Sequence, residues 1–214
     1  MNKNQKFVIS INRELGSGGR TVGEKLAARL GVPFYDKALI KALEDKYNLS
    51  VEEIEALKGR SHSWWSDFKR VIGLGYSLQN NPDYKTSVIN ETDLLTTDEV
   101  YKAELEILHG IADTESCVIA GRSGFYVFRN TPNHLNILIQ ASLEQRIQRL
   151  VRKRNLTREE AEKTIHQVDK MRENYVLKYT GCSRYDAHNY DLVFSMDGKT
   201  EEEIVDLIMK YIGD

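Results

Sequence analysis

Residues 7–31 read FVISINRELGSGGRTVGEKLAARLG. No other stretch constrains the fold as tightly. Phe7–Ile11 is a short apolar run, broken only at Ser10, that ends in a glycine-rich turn, the pattern of a buried strand. Val22, Leu26, Ala27 and Leu30 then recur at helical spacing, which predicts a helix over about 17–30 closed by Gly31. Val32-Pro33-Phe34-Tyr35 restarts extended structure. The order strand, glycine turn, helix, strand predicts a parallel α/β sheet, where ligands gather beyond the carboxyl ends of the strands.

The turn has the outline of a phosphate-binding loop, G-x-x-x-x-G-K-[ST]. It departs from that pattern: Arg13 stands at the first glycine, and Gly19 stands where the lysine belongs, before Arg20-Thr21. Three glycines let backbone amides point inward, and the helix start adds partial positive charge. Gly16, Ser17, Gly18, Gly19, Arg20 and Thr21 are therefore candidates for holding the phosphates of a donor nucleotide, with Arg20 the nearest cation and Thr21 a hydroxyl for a metal ion. Two other readings stay open. The glycines can serve an ordinary tight turn. A dinucleotide-binding turn would use Gly16 and Gly18, with Asp36 for the ribose, but the third glycine position holds Thr21.

The remainder alternates. Residues 36–115 read as mostly helical, with capping boxes at Ser50–Glu53 and Thr96–Glu99. Cys117–Ala120, Leu135–Gln140 and Asp191–Met196 read as strands. Ser142–Gln145, Thr157–Glu160 and Thr200–Glu203 open helices, the last with Ile204, Leu207, Ile208 and Tyr211 on one face. Between 143 and 158, LEQRIQRLVRKRNLTR sets six cations against Glu144 alone. Arg146, Arg149 and Lys153 share a polar face, opposite Leu143, Ile147, Leu150 and Val151. The helix over 158–179 is expected to bury Ala161, Ile165, Val168, Met171, Tyr175 and Tyr179, with Asp169 and Arg172 on its polar side. A solvated basic face explains any one of these arginines. Their number suits charge spread over a transferred phosphoryl group. A basic helix also suits RNA, but a net charge of −2 argues against long polymer contacts.

The two cysteines, far apart, suggest neither a disulfide framework nor a zinc site, and the five-residue apolar run near the start is too short for a signal or membrane segment. A cytoplasmic protein is expected. The five histidines lack metal-ligand spacing, and Trp64-Trp65 reads first as packing, with base stacking the sharper alternative.

The succession INRELGSGGRTVGEKLAARLGVPFYD, IAGRSG, QASLEQRIQRL, VDKMRENYVLKYTG, NYDLVFSM resembles the cytidylate kinase-like family over nearly the whole chain, thinly between about 44 and 112. The resemblance implies a P-loop nucleoside monophosphate kinase-like fold: a five-stranded parallel sheet flanked by helices, with a helical insert and a lid. It implies a core over about 1–36, 113–142 and 188–214, an acceptor-binding insert over about 37–112, and an arginine-rich lid over about 143–187. The implied activity is transfer of the ATP γ-phosphoryl group, with Mg²⁺, to a nucleoside monophosphate, CMP among them. By resemblance, Arg122 meets the acceptor, Arg146 and Arg149 begin the lid, and Asp169 and Arg172 stand at the acceptor and transfer site. Asp36 and Lys41 also fall among acceptor contacts. Gly19 in the lysine position, and Ala120 and Ser123 where aspartates would flank Gly121-Arg122, depart from true cytidylate kinases. A catalytically inactive nucleotide sensor or interaction module is the alternative. Donor and acceptor nucleotides are the expected partners, with no nucleic-acid polymer and no membrane.

Overall fold

A computed structural model describes residues 1–36 and 98–213. The readings made for 37–97, among them Lys41, the tryptophan pair and the capping boxes at Ser50 and Thr96, lie outside the described residues. The chain divides into two compact units, Met1–Phe34 with Glu115–Asp214, and Tyr35–Thr114.

Five parallel strands form one sheet: β1 (Val8–Arg13), β2 (Phe34–Tyr35), β3 (Cys117–Ala120), β4 (His134–Gln140) and β5 (Leu192–Ser195), in the order β2-β3-β1-β4-β5. β1 is central. Its Ile11 lies level with Ala120 of β3 and Ile137 of β4. The turns that leave these strands therefore open along one edge of the sheet, where such folds bind ligands. The described helices are α1 (Gly19–Leu30), α2 (Asp98–Thr114), α3 (Gly124–Val127), α4 (Leu143–Arg154), α5 (Arg158–Thr180) and α6 (Glu201–Tyr211). None of them is long and apolar enough to cross a membrane.

Strand alternation sorts the side chains by face. Ile9, Ile11, Val118, Ala120, Leu135, Ile137 and Ile139 point one way and pack beneath Val22 and Leu26 of α1 and Ile204 and Ile208 of α6. The ion pairs Lys25–Glu202 and Arg29–Asp206 tie those two helices together at the surface. The opposite face carries a polar group of Ser10, Asn136 and His134. The Ser10 hydroxyl donates to Asn136 and lies 3.1 Å from His134 Nε2. α3 runs so close to this point that a Cβ on Gly124 would come within 2.7 Å of the Ser10 Cβ.

The expected helix starts at Ser142, Thr157 and Thr200 are present, each with its hydroxyl accepting an amide of the first turn. Thr157 with Glu160, and Thr200 with Glu203, complete the reciprocal box. The buried stripes differ from expectation in three helices. α6 buries Ile204, Val205, Ile208 and Met209, leaving Leu207 and Tyr211 about half exposed, because two adjacent rows of the helix press into the core. α4 leaves Leu143 and Val151 partly exposed and buries Arg146 with Ile147 and Leu150. α5 buries Asp169 and Val176 with Ala161, Ile165 and Val168, while Met171, Tyr175 and Tyr179 remain half-buried.

Burial lowers the pKa of His134 from 6.5 to about 4, against weaker opposing effects of a backbone hydrogen bond at Phe128 and the charge of Asp191. The folded state thus holds this ring neutral where the unfolded chain protonates it. Stability on this account is complete above pH 6.5 and falls as the pH drops towards about 4. We expect a loss on the order of 2–3 kcal/mol across that window. His134→Gln should flatten this part of a pH series of urea unfolding curves, and an unchanged slope would refute the assignment.

Candidate functional site

The glycine loop leaves β1 at Arg13 and enters α1 at Gly19. Two of its residues need glycine. Gly16 has φ +82°, and an added Cβ would meet the Arg146 carbonyl at 2.9 Å and Leu150 Cδ1 at 2.7 Å. Gly18 has φ +89° and stands at the N-cap with no side-chain hydrogen bond to the helix. The first amides of α1 thus receive no cap from their own N-cap residue, and an anion is favoured there.

A buried clamp fixes the loop. Arg146 donates from Nε to the Leu15 carbonyl at 2.8 Å. Its Nη2 pairs with Asp169, and its Nη1 lies 3.4 Å from Glu14. Asp169 accepts the Leu15 N–H at 3.1 Å. The two ends of one residue are thus held by an arginine of α4 and an aspartate of α5. The Leu15 side chain packs with Ile147, Leu150, Ala161, Ile165 and Val168 beneath the same helices.

Cations surround this loop, and not all where the sequence suggested. Arg149 lies across Gly18: a Cβ there would meet its guanidinium carbon at 3.2 Å. Its Nη2 donates to Glu201 at 2.6 Å and reaches Thr21 Oγ1 at 3.5 Å. Arg20 pairs with Glu24 at 2.7 Å and lies 5.9 Å from the centre of the Phe34 ring. One residue along a helix turns the side chain by about 100°, so position 20 cannot project where position 19 would. The place where a side chain at position 19 would begin is taken by the other altered position. A Cβ on Gly19 would meet Arg13 Cβ at 2.6 Å, and a Cβ on Gly121 would overlap Arg13 Nη1. Arg13 therefore runs from the first turn of α1 to the end of β3. Arg13 and Gly19 are sterically linked: the arginine stem passes where a side chain at position 19 would begin.

The Arg13 carbonyl accepts from Arg172 Nη1 at 3.4 Å and from Arg184 Nη2. Arg172 and Arg184 approach Asp169 Oδ1 at 3.9 and 3.8 Å. Arg184 was not among the expected site residues. Nothing in the spacing of CSRYD marks an arginine that lies beside a loop 171 residues away. Arg122 stands beyond β3 in a run of three left-handed residues, Gly121, Arg122 and Ser123, with φ of +83°, +55° and +52°. Backbone strain of this kind gathers at functional sites. Asp36 is buried just after β2. Lys41 lies outside the described residues.

Beside the loop is a cavity of about 540 Å³ lined by Gly16, Ser17, Gln145, Arg149, Arg152 and Asp197. The volume is in the range of small-ligand sites. The loop and its neighbouring cations fit a polyphosphate. Among the described residues no three His, Cys, Asp or Glu side chains gather to hold a metal. A magnesium ion, which keeps most of its waters and phosphate contacts, needs no such cluster.

A model of the cytidylate kinase-like family matches residues 8–198. The chain belongs to the cytidylate kinase-like family. No curated protein matches it. Among solved structures, an uncharacterized protein from Eubacterium ventriosum is similar at 21% identity and TM-score 0.67, covering 97% of this chain and 98% of that one. A gluconokinase from Sinorhizobium meliloti is similar at 13% identity and TM-score 0.52, covering 97% and 93%. A shikimate kinase from Bacteroides thetaiotaomicron is similar at 16% identity and TM-score 0.51, covering 96% and 98%. The fold of this family member is that of P-loop kinases.

Removing one partner of a buried charged pair leaves the other unpaired. Arg146→Met should therefore cost about 3 kcal/mol or more in urea unfolding. With Asp169→Asn the losses should be strongly non-additive. Additivity within about 0.5 kcal/mol would show that the two residues do not act as one clamp.

Proposed function

We propose that this member of the family is an ATP-dependent kinase whose acceptor is a nucleoside monophosphate, CMP among the candidates. The observation that carries the proposal is that Arg13 brings a cation to the place where a side chain at position 19 would begin. A loop that had merely lost its lysine would have no reason to place a second cation in the same space. In this reading the amides at the start of α1 hold the donor phosphates. Arg149 neutralises them from the Gly18 side and Arg13 from the β3 side. The nucleoside of the donor occupies the cavity beside Gln145 and Arg152. Arg122 and Arg172 face the acceptor, and Asp169 keeps Arg172 and the loop in register. Arg20, held by Glu24, has the lesser role.

The reaction needs no covalent intermediate. The acceptor oxygen attacks the γ-phosphorus while the bond to the bridging oxygen breaks, so the chain's task is alignment and charge stabilisation. Magnesium, when bound, would supply positive charge that offsets the phosphate oxygens, and Thr21 is the residue that would help hold it. Guanidinium groups suit phosphate because their fork of donors matches its oxygens.

One observation favours the inactive sensor instead. Thr21, the hydroxyl that would hold magnesium, faces the Arg149 guanidinium. A coupled assay of ADP formation with CMP, UMP, AMP and dTMP separates the two readings: nucleotide binding without turnover supports the sensor. If the chain is a kinase, Arg13→Ala should lower kcat/KM by ~10-fold or more, since a charge-assisted contact is worth about 1.5–3 kcal/mol. Arg20→Ala should change it less. The reverse ranking would return the lysine's role to Arg20.

The link between positions 13 and 19 is itself testable by stability. Gly19→Lys alone should destabilise the fold, because its Cβ would meet Arg13 and Ile139 at 2.6 and 3.1 Å. The double variant Arg13→Gly/Gly19→Lys should recover much of that loss. No recovery would show that the two positions are independent.

A further inference from the structure

Arg184 is 1% exposed, the largest of the fully buried side chains among the described residues. Its Nη2 donates to the Arg13 carbonyl and lies 3.5 Å from Asn12 Oδ1. Its Nε and Nη1 have no hydrogen-bond partner. Asp169, at 3.8 Å, is too far for a hydrogen bond and is already engaged by Arg146 and the Leu15 amide. Burial and the nearby charge of Arg172 pull the pKa of Arg184 below the usual arginine range. Two guanidinium groups thus share one carbonyl oxygen and the far side of one carboxylate. A buried cation with two idle donors is a cost that a structural role does not explain. Tyr185, itself 42% exposed, lies over this guanidinium at 5.2 Å. A half-exposed ring covering a buried cation is a cover that can move aside without disturbing the core.

We propose that Arg184, together with Arg172, forms a phosphate seat at the base of the glycine loop, closed by Tyr185 when empty. The ligand is a phosphate group, either that of the acceptor or the one in transit from the donor. Nε and Nη1 of Arg184 supply the paired donors that phosphate oxygens accept, and the anion offsets the repulsion between the two arginines. The seat rests on the kinase reading for the source of its ligand, but its chemistry does not require turnover.

The experiment uses the full chain and three probes: inorganic phosphate, CMP, and ATP with magnesium. Dissociation constants are measured by calorimetry for the wild type, Arg184→Gln and Arg184→Lys. Arg184→Lys retains a charge that can still reach the Arg13 carbonyl, so it covers the case in which the glutamine variant does not fold. We expect at least ~10-fold weaker binding of inorganic phosphate in both variants, the size of a lost charge-assisted contact. Of the two nucleotides, loss for CMP alone beside the loss for inorganic phosphate assigns the acceptor's phosphate, and loss for ATP alone assigns the donor's. A smaller change for all three probes, or a wild type that binds none of them, overturns the seat. If turnover is present and Arg184→Gln leaves kcat, KM and phosphate binding intact, the seat fails and the kinase reading stands. If turnover is absent yet phosphate binding depends on Arg184, the seat stands and the kinase reading fails. Tyr185→Ala should speed modification of Arg184 by phenylglyoxal, and phosphate should slow it again. No protection would likewise overturn the proposal.

Discussion

The peptide of Leu15 is held at both ends by opposite charges. Arg146 takes its carbonyl and Asp169 takes its amide, and the two side chains pair with each other. A glycine loop is intrinsically the most mobile part of such a fold, because each glycine surrenders more backbone freedom on ordering than any other residue. The clamp supplies that order from outside. It fixes the loop before any ligand arrives, so binding energy need not be spent on shaping it. It also joins the two helices of the arginine-rich region to the first strand through one residue, whose side chain is packed beneath those helices as well.

That clamp explains why Arg146 departs from the role its sequence position suggests. Periodicity sets it with Arg149 on a polar face. The structure buries it, because its partner lies 23 residues away on the next helix. No local pattern carries that information. Arg149, one turn on, remains at the loop mouth and is restrained by Glu201 at the start of α6. Two arginines with the same spacing signal thus serve different ends, one holding the loop and one lying across it.

The strands, the glycine turn and the helix starts were legible because each depends on residues close in sequence. Hydroxyl and carboxylate three residues apart mark Thr157 and Thr200 as helix starts wherever those helices later pack. Burial depends on distant neighbours. Leu207 and Tyr211 repeat with helical spacing yet face outward, because Val205 and Met209 take the inner positions. Arg184 was invisible for the same reason: CSRYD reads as an ordinary loop until β1 is laid beside it. The departures at positions 13 and 19 were both visible, but their connection was not. Reading them separately directed attention to Arg20, the nearest cation in sequence.

Read together, those departures bear on whether the loop is degraded. If a lysine is lost by drift, the vacated space is expected to fill with a small side chain or with nothing. Here the space holds the stem of Arg13, and Gly19 is required by it, since even a methyl group there would collide. Each residue makes sense only in the presence of the other. The Arg13 cation also differs in reach. A lysine rooted in α1 extends along the loop as a point charge, whereas the Arg13 guanidinium lies against Gly121 at the end of β3. That sets positive charge against the end of β3, next to the turn that carries Arg122. Positions 13 and 19 are therefore one steric unit, and a change at either is felt at the other.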